Sequence, residues 1–158
     1  MNEGAAGGEE VLKKARALCF RLLKTRNCSE KELRDRLRQK RFTADAITET
    51  VSYLKSIRLI DDQQFTRNWI QARLTKPFGL RRIQLELKQK GIADELLKKE
   101  IVFAQANFDE KTALNELLQK CRAKYKNVEP LKRKQRMFSY LARRGFNIEA
   151  IEEALQKS

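Results

Sequence analysis

Six positions recur in fixed register through this chain, and that recurrence limits the fold more than any other property. Leu33, Leu37, Lys40, Phe42, Ile47 and Val51 return fifty residues later as Ile83, Leu87, Lys90, Ile92, Leu97 and Ile101. The second set returns after a further fifty-four residues as Met137, Leu141, Arg144, Phe146, Ile151 and Leu155. Each set reads as the end of one amphipathic helix, a turn carrying one apolar residue, and the start of the next helix. One or two such matches arise in any helical chain. Six in register across three copies indicate internal repetition of a supersecondary unit.

The central copy shows what the unit is. From Ile60 to Ile101 the sequence holds three short helical patterns, separated by a Pro77-Phe78-Gly79 break and a Lys90-Gly91 turn. The first opens at Asp61-Asp62 and places Phe65, Trp69 and Ala72 at helical spacing. The second runs from about Leu80 to Lys90 with Ile83 and Leu87 inward, and the third carries Leu97, Ile101 and Ala104. A helix of that size cannot bury its apolar stripe alone, so the three pack on one another.

Extending the unit both ways predicts an all-α fold: an elongated tandem array of three three-helix repeats, about nine helices in all. The expected divisions are a disordered tail over residues 1–8 and repeats over 9–58, 59–107 and 108–158. In the first repeat, Leu12, Ala15, Leu18, Cys19 and Leu22 form one apolar face, Ser29 and Glu32 form a capping box, and Thr43 caps a third helix carrying Ile47, Val51, Leu54 and Ile57. In the last repeat, Asp109 opens a helix with Ala113, Leu117 and Cys121 inward. Gly145 there suits the left-handed closure of the eighth helix, and Asn147 caps the ninth.

Composition agrees. Charged residues make up 35% of the 158, aromatics only 8%, and Gly (6) and Pro (2) are scarce, which suits solvent-facing helices and not a strand-rich domain. No apolar run approaches the length of a membrane span and no secretory signal is present. The three cysteines, Cys19, Cys28 and Cys121, lack metal-ligand spacing, and the chain has no histidine. Reduced thiols in the cytoplasm are expected, with Cys19 a small core residue.

The net charge of +14 is uneven. From Lys120 to Arg144 ten basic residues face the single acid Glu129; Arg73 to Lys90 holds six against Glu86, and Lys31 to Arg41 six against Glu32 and Asp35. Both ends of the chain are acidic. A cationic face repeated along an array makes a stripe, which suits an extended polyanion. Lys40, Lys90 and Arg144 occupy last turns, where a cation is favoured by the exposed carbonyls whatever the function. Arg81 and Arg82 stand in a first turn, where a cation is disfavoured, and Lys132, Arg133, Lys134 and Arg136 sit at or before a helix start. The candidate binding residues are therefore Arg73, Lys76, Arg81, Arg82, Lys88, Lys132, Arg133, Lys134, Arg136 and Arg143. Phe78 could stack on a base, although a lone aromatic at a turn more often packs between repeats; Trp69 and Phe65 read as core. Asp61-Asp62 reads as a helix cap and not a metal pair. No phosphate-cradling loop and no nucleophile–base pair is present, so neither an enzyme nor a cofactor is expected.

The run IDDQQFTRNWIQARLTKPFGLRRIQLELKQKGI resembles the signature block of the RecX family, bacterial regulators of the RecA recombinase. SEKELRDRLRQK is similar to that family's first repeat and YLARRGF to its third, so the resemblance extends from about Ala15 to Leu155. Two departures stand out: Thr66 where the family pattern has alanine, and Arg41 where the other two copies have glycine. The resemblance implies a monomeric cytoplasmic regulator, linked to the SOS response, that lodges in the groove of the RecA–DNA filament and suppresses strand exchange and ATP turnover. Its partners would be RecA and single- and double-stranded DNA, with no membrane. Basic faces would then meet DNA, while acidic ends and apolar patches meet the recombinase. A stand-alone, non-sequence-specific DNA-binding helical protein is the alternative.

Overall fold

The computed structural model describes residues 3–157, and among them it contains nine α-helices and no strand. They are α1 (Glu3–Thr25), α2 (Glu30–Gln39), α3 (Ala44–Ser56), α4 (Asp62–Leu74), α5 (Leu80–Gln89), α6 (Asp94–Asn107), α7 (Glu110–Lys124), α8 (Pro130–Arg144) and α9 (Ile148–Gln156). The expected caps form. Ser29 and Glu32 satisfy each other's backbone amides in a capping box, and Thr43, Asp109 and Asn147 accept from amides of the turns they begin. Asp61 likewise accepts from the Gln63 and Gln64 amides, at 2.8 and 3.1 Å. Gly145 closes α8 at φ 86°.

Residues 1 and 2 of the expected tail lie outside the described residues, but its remainder is helical: α1 starts at Glu3, six residues before the sequence pattern begins. A Cβ built on Gly7 or Gly8 would meet nothing, and both glycines are exposed.

The chain divides into two compact units. Unit 1 runs to Thr66 and takes in the Lys90–Ile92 turn; unit 2 holds Arg67–Gln89 and everything from Ala93 onward. In unit 1, α1 and α2 pack on α3 around Ala15, Cys19, Cys28, Leu33, Leu37, Ile47, Val51, Leu54 and Ile60, all buried. Each fully buried Leu or Ile stabilises by roughly 1.5–3 kcal/mol, and the two repeat positions Leu33 and Leu37 are sealed completely. Ile57, expected on the inward face of α3, is exposed, because the helix stops at Ser56 and Ile57 becomes its cap.

In unit 2, α5 packs on α6, and α7, α8 and α9 pack on one another. Leu114, Leu117, Leu118, Cys121, Met137, Leu141, Phe146, Ile151 and Leu155 form the interior of the last three helices. Ile83, Leu87 and Leu97 are buried as their spacing predicts. On α4 the inward stripe runs through Phe65 and Ile70, so Ala72 is exposed and Trp69 only half-buried. All three cysteines are free and buried, and burial pushes the Cys19 thiol up to about 11, consistent with packing and not reactivity.

Candidate partner-binding surface

Two junctions between successive helix triplets share one design, and their difference exposes the candidate surface. The first lies within unit 1. The Ser29 hydroxyl accepts the Glu32 amide and donates to the Lys90 carbonyl at 2.7 Å. Asp62, at the start of α4, accepts the Glu30 amide at 2.8 Å. Gly91 is left-handed (φ 78°), and a Cβ there would run into the Lys31 side chain. The cations of this junction all meet acids. Glu32 takes Lys90 at 2.9 Å and Arg26 at 3.1 Å; Glu30 takes Arg34 at 2.7 Å and Lys55 at 2.5 Å; Asp35 takes Lys31 at 2.7 Å. Burial pulls the Glu30 and Glu32 carboxyls up, but these partners outweigh it and hold both below the usual range.

The second junction lies within unit 2 and repeats the backbone plan of the first. Gly79 stands where Ser29 does, and its amide donates to the Arg144 carbonyl at 2.9 Å. Glu110, at the start of α7, accepts the Leu80 amide at 3.1 Å, as Asp62 does for Glu30. A Cβ on Gly79 would overlap the Gly145 carbonyl, and one on Gly145 would overlap Arg82, so backbone lies on backbone here.

The charges of the second junction are not matched. Glu86 alone holds Arg73 at 2.7 Å and Arg82 at 3.1 Å, and it also accepts the Trp69 indole N–H at 3.1 Å. Arg81, Arg143 and Arg144 form no ion pair among the described residues. Three guanidiniums surround the half-buried Phe78 ring, those of Arg144, Arg82 and Arg73 lying 5.0, 5.1 and 5.5 Å from its centre. Arg73 also covers Trp69 at 4.7 Å and Arg144 covers Tyr140 at 5.1 Å. Cation–π attraction of this kind offsets part of the repulsion among clustered arginines.

All ten sequence-derived candidates fall in unit 2. Arg73 and Arg82 join the cage around Phe78, and Arg82 also donates to the Arg143 carbonyl at 3.1 Å, closing the C-terminal end of α8. That contact accounts for one of the two first-turn arginines. Arg81 points to solvent with Arg143, and the two line a groove with Arg82. Lys76 is exposed beyond the end of α4, and Lys88 pairs with Asp94 at 3.4 Å. Lys132, Arg133, Lys134 and Arg136 occupy the first half of α8, whose first amides are taken by Glu129.

Arg144, read from helix position as a last-turn cation, stands in the last turn of α8 and also joins the cage. The signal for it was its alignment with Lys90, whose acid partner Glu32 has Arg82 as its counterpart. The Phe78 ring carries the guanidiniums of Arg73, Arg82 and Arg144. No group of three or more potential metal ligands exists among the described residues, and no helix among them is long and apolar enough to cross a membrane.

Fold and surface together define a tandem three-helix-repeat protein with a concentrated arginine face. Family models match all three repeats, described as the first, second and third three-helix domains of RecX over residues 15–54, 61–99 and 109–155. The Regulatory protein RecX of Chlorobium phaeobacteroides is 33% identical over 92% of this chain and 93% of its own. That of Caldanaerobacter subterraneus is 29% identical over 90% of this chain and 70% of its own. The crystal structure of RecX from Lactobacillus salivarius superposes with a TM-score of 0.79 at 21% identity, covering 94% of this chain and 97% of that one. A second crystal structure, of regulatory protein RecX, gives 0.81 at 19% identity over 98% and 76%. The chain belongs to the RecX family, a family of regulatory proteins.

Proposed function

We propose that the protein binds the RecA recombinase and RecA–DNA filaments in the cytoplasm and lowers strand exchange and ATP turnover during DNA recombination and repair. Membership of the RecX family supports this reading, and one observation carries it to particular residues. Of two equivalent junctions, one matches its cations with carboxylates and the other leaves Arg81, Arg143 and Arg144 without them. A junction needs no surplus of guanidiniums to hold together, so the surplus serves contact with an anionic partner. The proposed contact residues remain Arg73, Lys76, Arg81, Arg82, Lys88, Lys132, Arg133, Lys134, Arg136 and Arg143.

Co-sedimentation with assembled RecA filaments, against naked DNA at matched salt, tests the reading. The expected result is pelleting with filaments at salt concentrations where naked DNA no longer retains the protein, with inhibition of strand exchange at substoichiometric amounts. Arg81→Glu combined with Arg136→Glu should weaken both; Arg82 is a poor probe because it also closes α8. Inhibition seen only at concentrations that coat bare DNA would remove the filament contact. The basic run from Lys120 to Arg144 favours a second reading, a stand-alone DNA-binding protein. It requires duplex affinity falling with salt by about 0.9 in log–log slope for each phosphate contacted, with or without RecA.

A further inference from the structure

The groove between α5 and the C-terminal end of α8 combines cations with large exposed aliphatics. It encloses about 530 Å³. Leu85 and Ile148 flank it at 58% and 40% exposure, Arg81, Arg82 and Arg143 line it, and the buried Phe146 is part of its wall. Its one carboxylate, Glu86, is already engaged by Arg73, Arg82 and Trp69.

A helical residue exposing a Leu side chain in a cationic cleft gains nothing from a phosphate backbone, which would set charged oxygens against it. Stacking of bases has no platform here either. Phe146 is sealed, and the half-buried ring of Phe78 is already covered by three guanidiniums. Cations around an apolar centre are instead the complement of a peptide whose carboxylates flank an aliphatic or aromatic anchor.

We propose that this groove is a protein-docking site, and that it takes an acidic segment with an apolar anchor, the anchor seated between Leu85 and Ile148 and the carboxylates on Arg81 and Arg143. The inference rests on the reading of the protein as a filament regulator and names the part of its surface that meets protein and not nucleic acid.

Two fluorescein-labelled peptides test it by anisotropy on the full chain: one with Asp and Glu around a Leu-Ile pair, the other identical but with Ala-Ala. A labelled oligo-dT of equal charge serves as the nucleic-acid arm. The Leu-Ile peptide should bind about tenfold more tightly than the Ala-Ala peptide. Leu85→Ser with Ile148→Ser should abolish that preference and leave oligo-dT binding unchanged. Both residues are exposed, and circular dichroism confirms that the variant keeps its helices. Arg81→Gln should weaken both peptides while preserving their ratio. Equal affinity of the two peptides for the unaltered protein overturns the proposal, as does a double-serine variant that loses oligo-dT as fully as peptide. On RecA filaments the double-serine variant should no longer co-sediment; retention equal to the unaltered protein also overturns the proposal. If the unaltered protein fails to pellet with filaments, the regulator reading falls, while the peptide titration still decides the groove.

Discussion

The two triplet junctions share a backbone plan and differ in what fills it. In unit 1 a serine hydroxyl bridges to the Lys90 carbonyl, and carboxylates take up the neighbouring cations. In unit 2 the hydroxyl is replaced by a bare glycine amide, Cys28 has Phe78 as its counterpart, and Arg82 stands where Glu32 does. The first arrangement is polar, with a carboxylate against each of its cations. The second brings backbone onto backbone and surrounds one ring with three guanidiniums. A repeated fold can therefore keep its geometry while one copy gives up electrostatic self-sufficiency, and the copy that gives it up is the place to look for a partner.

The largest expected effect comes from exchanging the residues at the crossing point. Gly79→Ser imports the first junction's residue into the second, where its Cβ would overlap the Gly145 carbonyl, and backbone cannot step aside as a flexible side chain can. A loss of about 3 kcal/mol is expected from such overpacking. The reverse exchange, Ser29→Gly, loses a cap and one bridging hydrogen bond and should cost about 1 kcal/mol. Urea unfolding of both variants measures the contrast, and equal losses would show that the junctions are packed alike.

A smaller effect separates the acids. Partners hold the Glu32 carboxyl below its usual range, so its contribution is present above the unfolded carboxylate value and is lost as pH falls through the depressed folded one. Glu32→Gln should therefore lower stability by about 1 kcal/mol at neutral pH, and the difference should close as pH falls through the depressed folded value. The capping acids behave oppositely in both junctions. Burial raises Asp62 and Glu110, so what each adds in its protonated form is lost as pH rises through the elevated value. Glu110→Gln keeps an acceptor for the Leu80 amide and should be at least as stable as the unaltered protein at neutral pH. Stability against pH for the two glutamine variants should diverge in sign.

Much of this was legible in the sequence because period and cap chemistry are local. Six positions in register located the turns, and Ser29, Thr43, Asp109 and Asn147 marked helix starts that the structure keeps. What was hidden depends on residues brought together from far apart in the chain. Nothing in the neighbourhood of Arg144 indicates that Phe78 lies beneath it, or that Arg82 reaches the end of α8. The capping of Glu30 by Asp62 and of Leu80 by Glu110 is likewise a link between triplets, invisible to a periodicity that treats each helix alone. The start of α1 was misjudged for a different reason: an apolar stripe reports where a helix packs, not how far it continues in solvent.

Arg41 supplies the smallest and most discriminating test, because it occupies the glycine position of the first triplet. Its φ of 62° is the left-handed conformation that Gly91 and Gly145 adopt at 78° and 86°. At those two glycines a second constraint operates, since Lys31 and Arg82 lie where a Cβ would go. Arg41 is exposed and carries its side chain in the same backbone conformation, so only the conformational penalty remains there. That penalty is about 1 kcal/mol for a non-glycine residue, part of which glycine returns through its freer unfolded chain. Arg41→Gly should thus stabilise by about 0.5 kcal/mol, whereas Gly91→Ala and Gly145→Ala should both destabilise, Gly145→Ala more because it meets the backbone of Arg82 and not the stem of a lysine. Thermal melts of the three variants set the order, and a destabilising Arg41→Gly would mean that the arginine side chain, not the turn, is what holds that position.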